Sequence, residues 1–210
     1  VFIVGLAILA TCTTSKPQPG TQETGNYKQE IKKNISITGS TEPIIIKLLR
    51  SNDKIVAVST DSIFNFDGKT WSTKPLDFQC NTAITDFKGN VWLGGKGIVF
   101  NLSEKKKTEL PTEAVNDTLL CLLWENEKTL LVGTSKGLWT WIGNWAKVTE
   151  TNGIRVNQIA KGEGQDLWLA TSNGVFQRKS NQWINLNDYV MDAGLLRNFF
   201  SISNGKNPGD

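Results

Sequence analysis

Any chemistry in this chain must be done without histidine, because none occurs among its 210 residues. That removes the commonest general base and the commonest transition-metal ligand, so Ser-His-Asp, Cys-His and His-based zinc sites are excluded within it. Carboxylate-only catalysis and Ser-Lys pairs remain open. The acidic turn from Glu163 to Asp166 resembles a calcium loop in composition but lacks the Asp-x-Asn/Asp-x-Asn/Asp-Gly spacing, and it reads as a hairpin turn. Lys105, Lys106 and Lys107 follow Glu104 and read as a solvated hairpin loop, and a net charge of +3 over the whole length makes no nucleic-acid surface. No catalytic, cofactor or metal constellation is recognised, so the expectation is no enzyme and no cofactor.

Aromatic side chains are the other chemistry available, with 8 Trp and 9 Phe in the chain. Trp92 and Trp168, then Phe64, Trp139 and Phe176, then Trp71, Trp145 and Trp183 each recur at one point of a repeating unit, as packing between sheets requires. Trp141 and Phe66 do not recur as bulky residues in every unit. They are therefore the candidates for a stacking platform that meets a ligand.

The unit that positions these rings is visible in LVGTSKGLWTWI (131–142) and WLATSNGV (168–175), where an apolar strand, a Thr-Ser-polar-Gly turn and a second apolar strand follow one another. Four segments align: 55–71, 91–107, 130–145 and 167–183. With Thr60, Gly95, Thr134 and Thr171 as anchors the steps are 35, 39 and 37 residues. Each segment follows an apolar run and a polar turn, so the unit is four short strands. Runs of four to six residues rich in Val, Ile, Leu, Trp and Phe, bounded by Gly, Asn, Asp and Lys, argue strands over helical repeats. A period of about 37 residues is close to the roughly 40–45 of a propeller blade. Gly97, Gly137 and Gly174 precede the third strand, where Ser62 stands in the first unit. The fold class expected is all-β: a β-propeller of about four four-stranded blades (44–78, 82–112, 118–150 and 156–188) plus the start of a fifth at 198–210, in an incomplete ring. A lone strand at 34–38, NISIT, is expected to serve ring closure. Cys80 and Cys121 fall at different points of the repeat, so no disulfide is expected between them, and Cys121 within LLCLL reads as a buried small residue.

GNVWLGGKGIVF (89–100), TLLVGTSKGLWTW (129–141) and QDLWLATSNGVFQ (165–177) resemble the two-component regulator propeller repeat, whose pattern runs polar-Gly-polar, apolar-Trp-apolar-Gly-Thr, then Gly-Leu and an aromatic. Leu131 replaces the strand Trp in the third unit, Ala170 replaces the Gly in the fourth, and 55–64 matches loosely. The resemblance implies an extracytoplasmic propeller, of the kind found in bacterial sensors of polysaccharide fragments. It says little about the ligand, because function lives in loops grafted on the fold.

Ahead of the repeats, VFIVGLAILA is too short for a bilayer span of about 20 residues and suits a signal-peptide core. LATC (9–12) resembles the lipoprotein signal, which makes Cys12 a candidate lipidation site, with 13–33 as a polar tether. FFSISNGKNPGD (199–210) parallels 156–166 and reads as a unit that has only begun. The expectation is a lipid-anchored module on the cell envelope of a Gram-negative bacterium, at the outer membrane or the periplasmic face. It would bind a glycan or a partner protein by stacking and hydrogen bonding. A carboxylate-using glycosidase or lyase and an assembly scaffold remain the alternatives.

Overall fold

The computed structural model describes residues 43–162 and 166–186. Cys12, the tether at 13–33, the lone strand at 34–38, Glu163–Gln165 of the acidic turn and the fifth-unit start at 198–210 lie outside the described residues.

Among the described residues sixteen strands form four antiparallel sheets, each built from four consecutive strands in sequence order. Blade 1 holds β1 (Ile45–Ser51), β2 (Lys54–Ser59), β3 (Ser62–Phe66) and β4 (Trp71–Pro75); blade 2 holds β5 (Thr82–Thr85), β6 (Val91–Gly94), β7 (Ile98–Asn101) and β8 (Lys106–Glu109). Blade 3 holds β9 (Leu119–Trp124), β10 (Leu130–Thr134), β11 (Gly137–Trp141) and β12 (Trp145–Val148); blade 4 holds β13 (Val156–Lys161), β14 (Leu167–Thr171), β15 (Gly174–Lys179) and β16 (Gln182–Asn185). The first strands β1, β5, β9 and β13 neighbour one another in succession, which places them nearest a common axis. The described blades form an arc that does not close.

Hairpins form where polar side chains close the loop themselves. Asp67, Asp86, Asn101 and Asn126 each accept two backbone N–H bonds from residues two to four positions on. The Thr-Ser-polar-Gly turn is a lock of a different kind. Thr134 Oγ1 donates to the Gly137 carbonyl at 3.0 Å and accepts from the Lys136 N–H at 3.1 Å, and Thr171 repeats this with Gly174 and Asn173 at 2.7 and 3.0 Å. The neighbouring serine ties down the chain entering its own blade: Ser135 Oγ accepts from the Thr118 N–H and Ser172 Oγ from the Arg155 N–H.

This lock corrects the expected register of the first unit. Its hydroxyl is Ser59, which donates to the Ser62 carbonyl at 3.1 Å, so the anchor is Ser59 and not Thr60. Gly97 is likewise not the counterpart of Gly137 and Gly174. Gly94 pairs Val99 and the Gly95 N–H meets the Ile98 carbonyl, which makes Ile98 the counterpart. Gly97 is needed for a separate reason, a φ of +65° with a would-be Cβ 1.9 Å from the Val115 carbonyl oxygen.

Alternation along each second strand gives one face to the preceding blade and one to the next. Val56 and Val58 meet Val91 and Leu93 between blades 1 and 2. Trp92 meets Leu130, Val132 and Trp139 between blades 2 and 3, and Leu131 meets Leu167, Leu169 and Phe176 between blades 3 and 4. Each such aliphatic side chain, when fully buried, contributes about 1.5–3 kcal/mol. Blades approach closely where Gly133 stands, since a Cβ there would lie 2.3 Å from Cys121 Sγ and 2.8 Å from Val156 Cγ1 of the next blade. Trp168, expected to be packed between blades like Trp92, is only half-buried, because its face of blade 4 is turned away from blade 3. Blade 1 shows the same at the other end of the arc, where Leu48 and Ile55 stay 67% and 41% exposed.

Candidate functional site

The β5–β6, β7–β8, β9–β10 and β11–β12 hairpins share one end of blades 2 and 3, and between them lies a cavity of about 210 Å³. Its apolar wall is three indoles. Trp92 is the second residue of β6, Trp124 ends β9 and Trp141 ends β11, with ring centroids 5.1 Å (92–124), 6.2 Å (92–141) and 6.5 Å (124–141) apart and interplanar angles of 67°, 51° and 83°. Rings set at such angles make a corner, not a flat floor. Trp92 and Trp124 are buried, whereas Trp141 is half-buried. The Trp124 Nε1–H is buried with no partner among the described residues, a penalty of about 1–3 kcal/mol.

The polar part of the wall is built around Asp86. Its Oδ2 accepts from Trp92 Nε1 and Asn90 Nδ2, both at 3.0 Å, and its Oδ1 accepts from the Asn90 and Lys88 N–H groups at 2.8 and 2.9 Å. Burial pushes this carboxyl up, but the donors from Trp92, Asn90 and Lys88 together outweigh it and hold it below its ordinary value. Asp86 is thus a fixed anion with its lone pairs occupied, unsuited to donating a proton. Glu104, Glu127 and Lys88 line the same cavity from exposed hairpin tips, and exposed Lys106 lines it from the start of β8.

The two expected stacking residues are not brought together. Trp141 belongs to the cavity, but as one wall of a cluster and not as an open platform; it also contacts Trp145, whose Nε1 donates to the Glu109 carbonyl at 2.7 Å. Phe66 sits in blade 1, half-buried, with its ring 5.0 Å from Trp71. Pairing registers nevertheless put Phe66 and Trp141 in one column of the repeat, with Leu102 and Arg178 as the other members. Asp86, Asn90 and Trp124 were not foreseen as site residues. The signal was there for Trp124, which ends its strand where the other units have Arg50, Thr85 and Lys161.

Lys105 to Lys107 are exposed as expected, with Lys107 Nζ 2.6 Å from Asp77 Oδ2. Cys80 and Cys121 are free thiols, and burial pushes them up to about 11 and about 12. Cys121 is half-buried as a residue, yet its sulfur is the covered part, lodged against Gly133 and Val156. No cluster of three or more potential metal ligands occurs among the described residues.

Solved structures with the same blade arrangement decide what the arc is. The extracellular domain of the putative one-component system BT4673 from B. thetaiotaomicron superposes with a TM-score of 0.57 at 12% identity, over 70% of this chain and 22% of that one. The chain has a β-propeller fold. YCF48 bound to D1 peptide superposes on it at 0.53 with 13% identity, over 67% of this chain and 52% of that one. PorZ, a surface component of the type-IX secretion system of Porphyromonas gingivalis, gives 0.51 with 15% identity, over 67% and 21%. The propeller arc therefore spans about a fifth of the BT4673 domain and about half of YCF48. No family model matches the sequence, and no curated protein is significantly similar to it.

Proposed function

We propose that this propeller is an extracytoplasmic recognition module, held at the cell envelope through lipidated Cys12, which binds a glycan or a segment of a partner protein without breaking a bond in it. The observation that carries the reading is the cavity between blades 2 and 3, where three tryptophans from three different strands meet hairpin carboxylates and lysines. Apolar walls with a few convergent polar groups are what ligand sites are made of. The fold shared with an extracellular sensor-system domain and with a propeller solved with a peptide supports it. Asp86, held ionised and saturated by donors, argues for binding over general acid catalysis at this place.

Intrinsic tryptophan fluorescence of the full chain, titrated with a panel of oligosaccharides and peptides, tests the reading. A saturable change that weakens tenfold or more in Trp141→Ala and persists in Trp168→Ala is expected, tenfold being about 1.4 kcal/mol of lost stacking. A response indifferent to Trp141→Ala removes the cavity from the function. Fatty-acid labelling that is equal in the wild type and Cys12→Ala removes the anchor.

A further inference from the structure

The repeat itself indicates what the cavity takes. One blade further on, the interface of blades 3 and 4 has the same positions filled by charges: Arg178 makes a two-pronged contact with Glu125, Nη1–Oε2 at 3.1 Å and Nη2–Oε1 at 2.5 Å, while Lys161 Nζ donates to the Glu125 carbonyl at 2.9 Å. The guanidinium also lies 5.8 Å from the centre of the Trp183 ring, its partner across β15 and β16. Pairing registers give each of these groups a counterpart between blades 2 and 3. Glu125 corresponds to Asp86, since each opens its hairpin by donating its backbone N–H to the carbonyl four residues on; Arg178 corresponds to Trp141, Lys161 to Trp124 and Trp183 to Trp145.

The carboxylate and the aromatic partner are therefore kept in both interfaces, while the two cations of one are replaced by indoles in the other. Among the described residues Asp86 forms no ion pair. We propose, resting on the recognition reading above, that the cavity between blades 2 and 3 receives a cationic side chain, guanidinium or ammonium, carried by a segment of a partner protein.

Three features fit that occupant. Indole faces attract a cation placed over them, most strongly where water is partly excluded. Asp86 contributes a fixed negative charge below the rim, and Glu104 and Glu127, which make no ion pair among the described residues, supply acceptors for the N–H groups that Asp86 can no longer bind. The corner made by rings at 51–83° admits a narrow group on a methylene stem, whereas a sugar ring stacks on an open flat face.

Two measurements test this. In the first, the full chain is screened against peptides with arginine at a fixed central position and varied flanks, alongside the same peptides carrying neutral citrulline. Arginine peptides should bind about tenfold or more tightly than citrulline ones, with the difference shrinking in Glu127→Gln and in Asp86→Asn. Equal binding of the two sets, or Trp141-dependent binding of a neutral oligosaccharide alone, overturns the cationic occupant and leaves the recognition reading standing. No Trp141-dependent binding of either overturns both. In the second, Trp141→Arg rebuilds the arrangement of the next interface. It should melt above Trp141→Ala by a margin that disappears when Asp86→Asn is added, and it should block the peptide; a margin independent of Asp86 overturns the equivalence.

Discussion

Between blades 3 and 4 the hairpin end of the interface is closed by a charge clamp, with Arg178 and Glu125 only 16% and 24% exposed at their side chains and Lys161 reaching the Glu125 carbonyl. Between blades 2 and 3 the same positions carry Trp141, Asp86 and Trp124, and a cavity stays open. Nearer the axis the two interfaces are built alike: Gly94 lets Leu119 approach in one, as Gly133 lets Val156 approach in the other. Packing near the axis is thus common to the blades, and their difference is confined to the hairpin ends. Variation concentrated there is what a fold that grafts recognition onto a constant scaffold requires.

The strongest way to break this comparison is to remove a residue that serves both packing and cavity. Trp92 is buried against blade 3, and Trp92→Ala should cost about 3–5 kcal/mol of stability. Trp168, its counterpart in blade 4, is half-buried, so Trp168→Ala should cost about 1–2 kcal/mol. Denaturant midpoints of the two variants measure this, and a larger loss from Trp168 would mean that the far face of blade 4 is buried as deeply as the interface between blades 2 and 3.

The clamp offers the next largest effect. Arg178→Met leaves Glu125 without its two-pronged partner in a partly covered site, and about 1–3 kcal/mol should be lost. Arg178→Met with Glu125→Gln should recover part of that loss, because no uncompensated charge remains. A double-mutant cycle with no coupling would show that the clamp contributes nothing beyond its methylene packing, and the contrast between the interfaces would then be one of shape alone.

Much of this architecture was legible before the structure, because turn chemistry and strand alternation repeat with the period of a blade. The register of the first unit was not legible. Ser59 and Thr60 are adjacent hydroxyls, and the glycine that marks the turn in TSKG and TSNG is Ser62 here, so only the bond from Ser59 to the Ser62 carbonyl separates the alternatives. Trp141 could be singled out because it does not recur as a bulky residue in each unit. Trp124 was passed over because LLCLLW reads as core throughout, although a tryptophan at a strand end where other units carry polar residues sets it apart, and Asp86 and Asn90 read as ordinary turn residues. The cavity draws on hairpins from two blades, so no local stretch of sequence contains it. The half-burial of Trp168 was missed for a related reason: recurrence identifies a column, but burial depends on whether a neighbouring blade covers it.

The smallest effect expected concerns Asp86, and it sharpens the comparison on the electrostatic side. Burial raises its carboxyl, and the bonds from Trp92, Asn90 and Lys88 more than compensate, so the folded value lies below the ordinary 3.8. A carboxyl depressed on folding stabilises the native state in full above the unfolded value, and that contribution fades as pH falls through the lowered folded value. Wild type and Asp86→Asn should therefore differ most in stability above about pH 4 and converge under stronger acid. Thermal melts at a series of pH values from neutral downward would show it. A difference that stays constant through that range would mean that the hydrogen bonds of Asp86 serve its neutral form equally well, and the fixed anion on which the cationic occupant depends would be gone.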